Sequence, residues 1–200
     1  MKDLKKVFIV SALIMSIVLF VSAIASAANP VVTIAAGYAK KVSVVVEQLA
    51  APASVWVVSA EGTVLLEEKT SGEKFAKLFN LELLPVGEYK VIVSTERKEI
   101  IQPLTLQANA VVVNNNKREE YFAPFIRLRE NFVDVMLFNS RLTDVSVSIY
   151  DEQGSAVFKE DMQNVLKVEK RYSLSDLAKG NYTVRVSTSH KDYYQTVAVR

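Results

Sequence analysis

The chain has no cysteine and only one histidine among its 200 residues, and these two scarcities remove several chemistries at once. Without cysteine no disulfide staples an exported domain, so each domain has to bury enough apolar surface to stand unaided. Lipid anchoring through a cysteine is excluded for the same reason. A single imidazole cannot assemble a transition-metal site of the His/Cys kind. Nucleophilic catalysis through serine usually needs a histidine held beside the hydroxyl. His190 stands in the polar segment 187–192 next to Lys191, a placement that reads as a solvated turn.

An excess of charge of one sign is also missing. The formal net charge is +2, and residues 1–27 hold Lys2, Lys5, Lys6 and Asp3, which leaves the remainder formally neutral. A neutral chain with both signs interspersed has no basic face for nucleic acid. Carboxylate pairs stand at Glu67-Glu68, Glu119-Glu120 and Asp151-Glu152. A calcium loop, however, spaces its oxygen ligands at alternate positions around a glycine, and Asp151-Glu152-Gln153-Gly154 supplies only the first of them. That segment reads as a hairpin turn. The expectation is a non-enzymatic protein with no catalytic, cofactor-binding or metal-ligating residue and no cofactor.

What is present begins with a targeting segment. A basic start, an apolar run over 7–25 and the small residues Ala25-Ser26-Ala27 form the pattern of a signal peptide over 1–27. The apolar run has 19 residues, close to the roughly 20 that span a bilayer, so retention as an anchor is the alternative to cleavage after Ala27. With cleavage, no membrane span follows, and the product is exported to the periplasm, the outer membrane or the exterior.

Beyond the signal, the chain says the same thing twice. Gly87-Glu-Tyr-Lys-Val-Ile-Val-Ser-Thr95 returns 93 residues later as Gly180-Asn-Tyr-Thr-Val-Arg-Val-Ser-Thr188. In the same register Leu81, Leu84, Lys98 and Gln102 fall on Leu174, Leu177, Lys191 and Gln195. An echo at fixed period marks a tandem repeat. Helical periodicity is nearly absent, while alternating apolar and polar residues recur at the spacing of a sandwich. Strands are expected at 31–36, 41–48, 54–60, 63–68, 73–81, 87–95 and 100–106, and again at 125–129, 132–139, 145–150, 156–160, 166–173, 180–188 and 193–199. Gly62 and Gly154 stand where tight hairpins need positive φ, and Gly87 and Gly180 are expected to do the same before the best-matched strands. Tyr89, Val91 and Val93, with Tyr182, Val184 and Val186, share a face that must be core. The polar run 114–120 is the expected linker, so the domains are 28–113 and 121–200. Ala110-Val-Val-Val113 either finishes the first sandwich or pairs with the second.

The second repeat, with its Tyr150-Asp151-Glu152-Gln153-Gly154 turn, its Leu174, Leu177, Gly180 and Tyr182 approach and a closing strand with Lys191, resembles the C-terminal sorting domains of type IX secretion substrates. It is similar as well to the small Ig-like secreted domains of Bacteroidetes. The likeness covers about 133–200, and more weakly 42–106. It implies two tandem Ig-like antiparallel β-sandwich domains, all-β, after an N-terminal signal helix. In that family the domain trails a larger cargo, whereas here it trails another copy of itself. The leading expectation is a structural or protein-interaction module of the bacterial envelope or cell surface, with an envelope or secretion-machinery protein as partner. The alternatives are a sorting signal in the second repeat, or carbohydrate binding through exposed aromatics. The contact candidates are Trp56, which alternates out of phase with Val55 and Val57, and Tyr193 and Tyr194.

Overall fold

The computed structural model describes residues 29–200, and the signal peptide expected over 1–27 lies outside them. Valine-rich alternation makes the strands. In β2 (Lys41–Glu47) Val42, Val44 and Val46 are wholly buried while the residues between them are not, the signature of a strand with one face in a core. β2 joins β1 (Val31–Ala36) and β5 (Phe75–Asn80) in one sheet. A second sheet runs in the order β4 (Val64–Lys69), β3 (Ser54–Ser59), β6 (Gly87–Ser94), β7 (Lys98–Leu106) and β8 (Val111–Val113). The two sheets share one core, with Val44, Val55, Leu81, Val91, Ile100 and Leu104 at its centre.

The second repeat builds the same topology through its first seven strands, without counterparts of β8 and β9 among the described residues. β10 (Phe125–Arg129), β11 (Phe132–Phe138) and β14 (Lys167–Ser173) form one sheet. β13 (Ala156–Met162), β12 (Val145–Tyr150), β15 (Gly180–Thr188) and β16 (Asp192–Val199) form the other. Its core is separate and centres on Val133, Val135, Val147, Ile149, Val184 and Val186. Matching details repeat with the topology. Both the β3–β4 and β12–β13 hairpins carry a bulge at the same place, between Val57 and Val58 and between Ile149 and Tyr150. Tyr89 donates its hydroxyl to Pro85 O and Tyr182 to Ala178 O, at 3.0 and 2.9 Å, each side chain pinning the bend that precedes its own strand. Where the two sheets part, Lys77 meets Glu68 in the first repeat and Lys170 meets Glu160 in the second.

Two expectations need correction. Gly62 and Gly154 do adopt φ of +90° and +80°, and Gly180 is positive as well at 157°, so the expected conformation fails at Gly87 alone of the pair Gly87 and Gly180. Those two residues open strands β6 and β15 rather than close turns. The polar run 114–120 is no free tether. Asn115–Lys117 is a 3-10 turn, and Glu119–Phe122 is a further strand, β9, paired with β7. Tyr121 and Phe122 therefore belong to the first repeat's ladder, although they were expected at the head of the second. An edge strand can be polar because only one neighbour pairs with it. Here Arg118 bonds both Glu120 and Val32 O, and Lys98 lies 3.8 Å from Glu120. Ala110-Val-Val-Val113 finishes the first sandwich, since β8 pairs with Leu104 to Leu106 of β7.

Candidate functional site

The β15–β16 hairpin ends in a tight turn built by Thr188. Its Oγ1 accepts the N–H groups of His190 and Lys191 at 3.2 and 3.1 Å. Thr95 builds the same turn between β6 and β7, accepting from Arg97 and Lys98. In the second repeat this fixed turn aims His190 and Lys191 at the first repeat. His190 Nε2 lies 2.6 Å from Glu99 Oε1, and Lys191 Nζ lies 3.2 Å from Glu99 Oε2. The imidazole stacks on Tyr121, centroids 3.8 Å apart and planes 10° from parallel. Glu99 and Tyr121 are directly opposed on β7 and β9, so one cross-strand pair receives the whole tip.

Around this contact a second layer closes. Tyr121 donates to Glu119 at 2.6 Å, and Arg141 lies 3.5 Å from Glu119 and over the Tyr121 ring. Phe122 meets Phe138 edge-on, and Tyr193 donates to Phe122 O at 3.4 Å. The space left among these side chains is about 20 Å³, room for about one water and no ligand.

The expectation of a solvated His190 is corrected here. The residue does occupy a turn, but its side chain is only 19% exposed and that of Glu99 15%. Burial by itself raises the Glu99 carboxyl, and the bond from His190 together with the charge and bond of Lys191 outweigh it, so the net shift is downward. Burial, then the charge of Glu99, push the Tyr193 phenol up to about 12. Burial, then the hydrogen bond to Glu119, raise Tyr121. The imidazole is held by a carboxylate on one edge and an aromatic on its face, which is the arrangement of a packed contact between two bodies.

The aromatics singled out from the sequence are not brought together. Trp56 sits half-buried on the outer face of β3, opposite Ile92 of β6 and Glu67 of β4, and Ile92 is opposed in turn to Ile101 of β7. Trp56, Ile92 and Ile101 thus form an apolar row across three strands. Tyr193 packs inward against the second core and Tyr194 points from the opposite face, 63% exposed, so these two neighbours cannot form one patch. Among the described residues no group of three or more His, Asp or Glu is placed to hold a metal ion, and no helix is long and apolar enough to cross a membrane.

Comparison with known families bears on the second repeat. Residues 130–200 match the secretion system C-terminal sorting domain. The sorting-domain match takes in β11 to β16, including the His190 hairpin, and leaves Glu99 and Tyr121 outside it. A sorting domain marks a protein exported to the cell surface or the extracellular space. Among curated proteins none matches the chain. Among solved structures it is similar to the BSP domain of a biofilm-associated protein, at 16% identity and a TM-score of 0.28 over 82% of this chain, spanning 29% of that one. It is similar also to the human OSCAR ligand-binding domain, at 13% identity and a TM-score of 0.25 over 83% of this chain and 97% of that one.

Proposed function

We propose that the protein is a non-enzymatic exported module of the bacterial envelope or cell surface, in which the second repeat is the sorting signal and the first is the structural or interaction part it delivers. The sorting-domain match over 130–200 carries this reading. Two separate cores support a division of labour between the repeats, with the boundary at Ala123-Pro124 after strand β9. The tip contact on Glu99 makes the delivered part and the signal one stiff unit. In a cell equipped with the cognate secretion system, the full chain is expected at the surface or in the medium. A Val184→Asp variant, which puts a charge into the second core, is expected to remain periplasmic. Unchanged surface delivery of that variant refutes the sorting role.

The Trp56, Ile92 and Ile101 row supports a contact surface on the first repeat, for a partner protein or a carbohydrate. Trp56→Ala should weaken retention on a polysaccharide panel or capture of envelope proteins. Equal behaviour of the two chains in both assays removes the row from consideration.

A further inference from the structure

The outer face of the β10, β11 and β14 sheet carries large side chains that the same face of the first repeat lacks. On β11, Phe132, Asp134, Met136 and Phe138 alternate with the core residues Val133, Val135 and Leu137. Across the ladders they meet Phe125, Arg127 and Arg129 of β10 and Glu169 and Arg171 of β14. Phe125, Met136 and Phe138 are about half exposed, at 50, 46 and 49%. Phe125 lies opposite Met136, and Phe138 follows on the same strand, so the three form one apolar patch. In the first repeat Ile34 lies opposite Val44 as Ile126 lies opposite Val135. That alignment puts Thr33, Ala35, Ser43 and Val45 at the places of Phe125, Arg127, Asp134 and Met136. Those four are small and uncharged. Thr33 and Ala35 stay exposed although β8 and β9 follow in the chain, so the segment that completes the first repeat does not cover this face.

The charges on the face are unevenly satisfied. Arg171 donates to both oxygens of Asp134, at 2.6 and 3.1 Å, a two-point pair. The bond from Arg171, opposed by burial and helped by the charges of Arg129 and Arg127, lowers the Asp134 carboxyl. Lys167 and Glu169 satisfy each other at 2.9 Å. Among the described residues no carboxylate pairs with Arg127 or Arg129, because Asp134, directly opposite Arg127, is taken by Arg171. The excess on the face is thus two positive charges, both on β10. Arg127 lies over the ring of Phe125 and Arg171 over that of Phe132, each 5.8 Å from the centroid. Each ring thus meets a guanidinium, which makes the pair a charged donor with an apolar flank and not an open platform for a sugar.

We propose that this face docks an extended acidic segment of another polypeptide, with carboxylates on Arg127 and Arg129 and an aliphatic side chain on Phe125 and Met136. Aromatic residues, methionine and arginine are the types enriched in protein interfaces. Alternate residues of a strand stand about 7 Å apart, which is the spacing of Arg127 and Arg129 and also that of side chains at every second residue of an extended peptide. The partner's pattern along β10 is therefore aliphatic, acid, acid at every second position. A second copy of the same face would bring two more unpaired positive charges, which opposes self-docking. A bilayer fits less well, because the apolar side chains lie flat on a sheet and none is more than half exposed. The inference stands whether or not the second repeat is a sorting signal.

The test uses the full chain and a labelled synthetic peptide with valine, glutamate and glutamate at every second position and serine between them, followed by fluorescence anisotropy and amide NMR shifts. Shifts should gather on β10 and β11, and affinity should fall as salt is raised. Arg127→Gln together with Arg129→Gln, both exposed, should keep the dichroism spectrum and weaken binding roughly threefold to tenfold, since exposed charge pairs are each worth little. Phe125→Ala should weaken it by about tenfold, the loss expected of an aromatic anchor. A peptide with lysine in place of both glutamates should not bind, which keeps the test independent of any protein variant. Unchanged affinity in the double arginine variant overturns the proposal, as does equal binding of the lysine peptide or the absence of shifts on β10. Capture of the chain by phosphatidylglycerol vesicles without peptide binding also overturns it, because the occupant is then a lipid surface. Self-association through this face does the same, because the occupant is then a second copy.

Discussion

Glu99→Gln should uncouple the two repeats while leaving each folded. The substitution keeps the side chain's shape but removes the charge that both His190 and Lys191 address. Hydrogen bonds to a charged, largely buried group are worth about 1.5–3 kcal/mol each. The Lys191 arm is more exposed, at 39%, and is discounted for solvent screening, so the loss of coupling is about 1–3 kcal/mol. The chain supplies its own reporter, because its one tryptophan, Trp56, lies in the first repeat. Tryptophan fluorescence therefore follows the first repeat and far-ultraviolet circular dichroism follows both. With urea m-values of about 1–3 kcal/mol per molar, the two signals should coincide in the parent and separate by roughly 1 M in the variant. A cycle of Glu99→Gln and His190→Gln should give a coupling energy above the roughly 0.3–0.5 kcal/mol within which independent sites add. Coincident transitions in the variant, or a cycle that closes within that limit, refute the view that this contact joins the repeats.

The junction also has a pH dependence of defined sign. The Glu99 carboxyl is lowered in the folded chain, so its stabilisation is present above the ordinary carboxylate range and disappears as pH falls through its folded value. Separation of the fluorescence and dichroism transitions below about pH 4 is expected in the parent, and its absence in acid contradicts the assignment. Tyr89→Phe and Tyr182→Phe each remove one side-chain bond to the backbone four residues earlier. Each should cost about 0.5–1.5 kcal/mol by urea titration, and a severalfold disparity would sink their equivalence. Lys40, 8% exposed, donates to the carbonyls of Glu82 and Leu84. Lys40→Met should destabilise the first repeat by about 1–3 kcal/mol, and a neutral result by calorimetry contradicts a stabilising role for these two bonds.

Alternation made most strands legible. The bounds of β1, β10, β12 and β15 follow from their apolar periods because each strand packs one face against a core. β9 was not legible, since Glu119-Glu120-Tyr121-Phe122 has no alternation and all four residues end half-buried. Its pairing is specified by β7, not by its own pattern. The junction was hidden for a different reason. Glu99 and His190 are 91 residues apart and belong to no local motif. One signal was available in the repeat itself: Thr95 and Lys98 recur as Thr188 and Lys191, and between them His190 replaces Arg97. The aligned turns thus differ at the residue through which the second repeat grips the first.

Strand β9 also decides where the molecule can be divided. A cut within 114–118 takes away the strand that pairs with Lys98 to Ile101 and leaves the released first repeat with a raw edge prone to joining other chains. A cut at Ala123-Pro124 leaves that strand in place, and the severed product loses the His190 tip together with Arg141, Phe138 and Tyr193, uncovering Glu99, Tyr121 and Phe122 to water. Among the described residues the two halves thus part with β9 intact at Ala123-Pro124, past the polar stretch that the sequence alone marks as the boundary.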